Sequence, residues 1–196
     1  LDQADARATF FVLGRSVERF PDLARRIVED GHDIGNHSWA HANLLRQTPE
    51  QLAADLAGTN AMIEAATGVA PDYLRPTYGK YDLDLRYLGF GLAMWDVDSR
   101  DWEHRSPRQT IRHTLDGVTP GSIVVLHDIH ATTVAAVPLL IAELRAAGYR
   151  LVTVAELIGP ADPGAVYWSQ TDIEAPPPPT TTTTTTTTTV PVDVAG

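Results

Sequence analysis

Two histidines, His37 and His41 in His37-Ser38-Trp39-Ala40-His41, are the first residues whose type and spacing suggest chemistry. At that spacing two imidazoles share one face of a helical turn, and neutral imidazole is the commonest protein ligand for zinc-like ions. No Glu follows His37, so the pattern is not H-E-x-x-H and a catalytic carboxylate has to come from elsewhere. The chain has seven histidines, and a lone pair at this spacing is more often structural than metal-binding. Its weight therefore depends on what the fold brings beside it.

The elements that would position the pair follow from hydrophobic patterning. Ala8 to Leu13 is a short β-branched and aromatic run closed by Gly14, as expected of a buried strand. Phe20 to Asp30 places Phe20, Leu23, Ala24, Ile27 and Val28 on one helical stripe, with Pro21 near its start. Asp33 to Asn36 is a brief extended piece leading into His37. Thr48-Pro49-Glu50-Gln51 is a capping-box signature that opens a helix reaching Gly68, and Ser106-Pro107-Arg108-Gln109 repeats it. Strands are expected at Tyr73 to Arg75, Leu92 to Val97, Ser122 to Leu126 and Leu151 to Val154, with a helix through Val134, Val137, Ile141 and Leu144 before the last. Alternating strands and helices with continuously apolar strands predict a mostly parallel α/β sheet. In such sheets functional residues collect beyond the carboxyl ends of the strands. His37, Arg75, Asp98 and His127 each fall at or just past such an end, and that convergence is what favours a site over the structural reading of each residue alone.

Composition narrows the classes. A chain of 196 residues, 43% hydrophobic, can bury one core. A net charge of −10 with no Lys/Arg-rich run argues against nucleic acid or an anionic membrane as partner. No apolar run is long enough for a transmembrane helix. With no cysteine, any metal must be held by His, Asp or Glu. From Ala175 the sequence turns to four prolines and a threonine run from Thr180 to Thr189, expected to be disordered or extended. The expected division is a catalytic-type domain over 1–160 and a Pro/Thr-rich tail or linker over 161–196. Thr-rich, Pro-flanked stalks favour an extracellular or cell-envelope setting. The start at Leu1, already close to patterned sequence, reads as a fragment or processed product.

Five ordered blocks, A-T-F-F-V-L-G, G-H-D-I-G-N-H-S-W-A-H, R-P-T-Y-G, W-D-V-D-S-R-D-W and I-V-V-L-H-D, resemble the polysaccharide deacetylase (NodB-homology) domain, carbohydrate esterase family 4. The resemblance implies a distorted (β/α) barrel and metal-dependent removal of acetyl groups from N-acetylated sugars, with a divalent ion, zinc, as cofactor. It also implies roles: His37 and His41 as metal ligands, and Arg75 orienting the catalytic base. The Tyr78 N–H would stabilise the oxyanion, Asp98 would hold and tune His127 as general acid, and Trp102 and Leu126 would line the acetyl pocket. The implied substrate is an N-acetylglucosamine polymer such as peptidoglycan or chitin. An O-acetyl xylan esterase or other C–N hydrolase of the same fold, and a non-catalytic cell-wall glycan-binding module, remain the alternatives.

The chain departs from the family pattern in one consequential way. The block T-F-D-D-G, which supplies the base and a third metal ligand, has no match from Leu1 to Arg7. The resemblance therefore implies a barrel lacking its first strand, an exposed sheet edge, weak metal binding and an inactive piece. Thr77 in place of a second proline and the short interval from Gly79 to Gly89 are smaller departures.

Overall fold

A computed structural model describes residues 1–177. The expected Pro/Thr-rich tail lies, from residue 178 on, outside the described residues. Strand β1 (Thr9–Val12) leads into α1 (Gly14–Arg19) and α2 (Pro21–Glu29), followed by β2 (Asp33–Asn36). The long helix α3 (Pro49–Thr67) is opened by the expected capping box, with the Thr48 side chain accepting from the Gln51 N–H, and closed by Gly68 in the left-handed region. Next come β3 (Tyr73–Leu74), α4 (Leu83–Arg86), β4 (Gly91–Ala93), β5 (Val97–Asp98) and α5 (Asp101–His104). The chain continues through α6 (Pro107–Gly117), β6 (Val124–Val125), α7 (Ala131–Ala146), α8 (Val154–Ile158), β7 (Val166–Tyr167) and β8 (Ile173–Glu174).

The main sheet runs β1-β2-β3-β4-β7-β8, parallel except for the antiparallel β7–β8 pair, and β5–β6 form a separate parallel pair. This is the expected α/β architecture. Among the described residues the ladder does not close into a ring, and β1 stands at one edge. Leu44, Leu52, Leu56, Leu74, Leu85, Leu92 and Val166 form a core beneath α3, while Val17, Ala24, Ile34 and Ile63 form a second cluster between α1, α2, α3 and β2.

Several expectations change. The boundary at 160 is too early: Val166 is fully buried, β7 pairs with β4, and Arg86 fastens the segment by bonds to the Gly164 carbonyl, Glu174 and the Ala175 carbonyl. The folded unit therefore extends through Glu174. The run Leu92 to Val97 is broken, because β4 ends at Ala93 and the chain crosses to the second sheet before β5. Leu151 to Val154 is not a strand; Thr153 instead caps α8, and the Val154 N–H bonds to Thr9 Oγ1 at 2.8 Å. Ser106 precedes α6 as expected, but its side chain makes no capping bond. The Phe20 stripe buries Ala24 yet leaves Phe20 and Leu23 exposed.

Candidate active site at the strand ends

His37 directly follows β2, and its Nδ1 lies 2.6 Å from the Arg75 carbonyl oxygen. A carbonyl only accepts, so Nδ1 carries the proton and the lone pair is left on Nε2, the arrangement a metal ligand requires. Burial pushes the His37 imidazolium down to about 4, so the ring is neutral at neutral pH. The His37 and His41 ring centroids are 4.9 Å apart. They are not brought together by a helical turn as the spacing suggests. Ser38 and His41 both have positive φ, and the loop is held by bonds from the Ser38 N–H to Asn36 Oδ1, from the Trp39 N–H to Asp55 and from the His41 N–H to Ser38 Oγ. Asn36, fully buried, is itself fixed by Leu56 and Asn60 of α3, so the second strand and the long helix jointly set the pair.

Tyr78 packs edge-on against His41 at 4.7 Å, its hydroxyl donates to the His41 carbonyl, and its backbone is in the left-handed region at φ 60°. A bulky residue held there is strained, and such outliers gather at functional sites. Arg75, at the end of β3, is buried. Its Nε and one terminal nitrogen donate to the Ala93 and Met94 carbonyls, and its guanidinium stacks on Phe11 at 4.2 Å and faces Trp95 at 5.7 Å. Burial pushes the pKa of its guanidinium down to about 9, and among the described residues no carboxylate pairs with it. Phe11 can lie there because position 35 is glycine: a Cβ at Gly35 would come within 2.5 Å of the Phe11 ring.

His127 lies two residues past β6 and is held by Asp101, not by Asp98. Its Nδ1 is 2.7 Å from Asp101 Oδ1, its N–H donates to Asp101 Oδ2 at 2.7 Å, and Thr133 Oγ1 of α7 donates to the same oxygen at 2.7 Å. Burial raises the Asp101 carboxyl, but the bonds from the His127 ring, Thr133 and the His127 backbone outweigh it and hold the group well below the usual carboxylate range. Among the described residues the Asp98 carboxylate accepts from the Arg100 N–H alone, closing the turn after β5. The physical reason is reach: the chain has to pass Arg100, in the left-handed region, before a carboxylate arrives beneath His127. Asp96, the third acid of the same block, is occupied by Ser122 and Ile123. Strand-end position alone favours Asp98, and no spacing signal distinguishes Asp101; only the turn geometry does. Trp102 is 50% exposed on α5, and Leu126 is partly buried beside His127.

A charge on His127 would be felt by both His37 and His41, which puts the three imidazoles in one neighbourhood. The two rings of His37 and His41 suit a divalent ion, but among the described residues no group of three or more His, Asp or Glu side chains could enclose one. His104, at the end of α5, stacks on His113 with its Nε2 3.1 Å from the Ser99 carbonyl oxygen.

The polysaccharide deacetylase model matches residues 1–91. The solved "T48 deacetylase with substrate" superimposes with a TM-score of 0.83 at 40% identity, covering 85% of each chain. The chain belongs to the polysaccharide deacetylase family. A family 4 acetyl xylan esterase from Clostridium thermocellum, solved with a cobalt ion, superimposes with a TM-score of 0.80 at 31% identity, covering 86% of this chain and 88% of that one. The peptidoglycan-N-acetylglucosamine deacetylase PgdA of Listeria monocytogenes is 36% identical over 174 residues, or 88% of this chain. The chain spans only 37% of the length of that relative. Among the described residues no helix is long and apolar enough to cross a membrane.

Proposed function

We propose that this polysaccharide deacetylase chain carries most of the site of a hydrolase that removes N-acetyl groups from an N-acetylglucosamine polymer, peptidoglycan in the first instance, in the cell envelope or outside the cell. The observation that carries the reading is the hydrogen-bonded His127–Asp101–Thr133 arrangement in the neighbourhood of the His37/His41 pair. His37 and His41 would hold a divalent ion, zinc, which supplies polarisation of the acetamide carbonyl and a more acidic water. Two imidazoles by themselves are an incomplete donor set for such an ion.

The chain's own residues account for the other half of the reaction. Asp101 keeps the His127 proton on Nδ1 in the resting ring and stabilises the imidazolium, so Nε2 can deliver a proton to the departing amine nitrogen. The Tyr78 N–H would face the developing oxyanion. Arg75 would orient a carboxylate base, its buried guanidinium being suited to an anion that the described residues do not contain. Trp102 and Leu126 would line the acetyl pocket. A second reading, glycan binding without turnover by this chain alone, is favoured by the incomplete donor set.

Acetate release from a panel of acetylated glycans, by a form completed with a T-F-D-D-G segment, tests the proposal. His127→Ala should lower turnover by about 10² to 10⁴. Undiminished turnover in that variant would remove His127 from the acid role, and release from xylan alone would favour the esterase.

A further inference from the structure

The loop that carries Asp101 and Trp102 also carries two arginines with different surroundings. Arg100 is closed off by Glu103, with nitrogen–oxygen distances of 2.8 and 2.6 Å. Arg105 touches no carboxylate among the described residues; its Nε donates to the Trp102 carbonyl at 2.7 Å, and a terminal nitrogen donates to His130 Nδ1. A guanidinium has no lone pair, so His130 is the acceptor and carries its proton on Nε2. The pair thus offers further N–H donors and no acceptor, with one fixed positive charge. The His130 ring lies 6.3 Å from the His127 ring, and exposed Trp102 is tied to the same guanidinium through its carbonyl.

An aromatic face suits a sugar ring, and a guanidinium whose charge no carboxylate among the described residues offsets suits an anionic substituent on that ring. We propose that Arg105 and His130 form an anion subsite beside His127 that takes a carboxylate borne by an N-acetylated amino sugar on the ring carbon next to its acetamide. The inference rests on the reading that His127 faces an acetamide: a substituent on the adjacent carbon would then lie within about one sugar ring of His127, a reach comparable to the 6.3 Å between the His127 and His130 rings. Asp128, exposed between His127 and His130, opposes an anion and keeps the expected preference modest.

Calorimetric titration of the 196-residue protein with two disaccharides that differ by one lactyl carboxylate tests this. N-acetylglucosaminyl-N-acetylmuramic acid should bind about fivefold more tightly than diacetylchitobiose at low salt, with the advantage screened at high salt. In Arg105→Gln and in His130→Gln the ratio of the two affinities should fall to about one. Equal affinities in the unaltered protein overturn the anion subsite and leave the glycan reading standing, whereas failure of both sugars to bind overturns the two together. A ratio that persists in both variants overturns the assignment to Arg105 and His130.

Discussion

Asp101, fully buried, collects hydrogen bonds from the Trp102 N–H, the His127 N–H and ring, and Thr133, whereas buried Arg75 meets two carbonyls and two aromatic faces but no anion among the described residues. These are the two halves of one rim. The first is finished: a buried charge with its partners in place. The second is a buried charge with no anionic partner among the described residues. A buried ion without a counter-ion costs free energy, and such a cost is retained where function needs it. The contrast separates a half in which His127 is held and aimed from a half in which, among the described residues, no carboxylate pairs with Arg75 and no third metal-type donor joins the two imidazoles.

The largest effect expected from breaking this contrast is at Asp101. Asp101→Asn should lose about 3–5 kcal/mol in urea denaturation, because one carboxylate oxygen becomes a donor facing donors. Asp98→Asn should lose under about 1 kcal/mol, because among the described residues that carboxylate accepts from the Arg100 N–H alone. Equal losses would restore Asp98 to the partnership.

The two halves should also fail at different pH. His37 has a folded value of about 4 against roughly 6.5 unfolded, so the unfolded chain binds the proton first. Stability should fall by at most roughly 3 kcal/mol as pH drops from 6.5 to 4, and His37→Gln should flatten that window. Asp101 is depressed, so its contribution is intact above the unfolded value near 3.9 and is lost only below it. Denaturation midpoints measured at intervals from pH 7 to pH 3 would show one descent or two.

The smallest effect is expected at Arg75. Because its charge is unpaired here, Arg75→Met should change stability by no more than about 1 kcal/mol, loss of two carbonyl contacts being offset by relief of desolvation. A loss of several kcal/mol would mean that the guanidinium is already satisfied.

Much of this rim was legible in the sequence because strand ends are marked by apolar runs, and His37, Arg75 and His127 terminate or closely follow three of them. What was not legible depends on turns. The His37/His41 pair meets through two left-handed residues instead of a helix, and Asp101 replaces Asp98 after a left-handed Arg100. Strand β7 is hidden for another reason: two residues are too short to display periodicity, and its place in the fold is set by pairing with β4, by burial of Val166 and by Arg86 reaching Gly164 and Glu174.

Zinc affinity is the most direct test of the lopsided site, measured by chelator competition on the 196-residue protein and on a form carrying T-F-D-D-G on a segment ahead of Leu1. Weak binding by the chain alone, tightened about tenfold or more in the completed form and lost in His37→Ala, is the expected result. Tight stoichiometric zinc in the chain alone, or identical affinity in both forms, would contradict it.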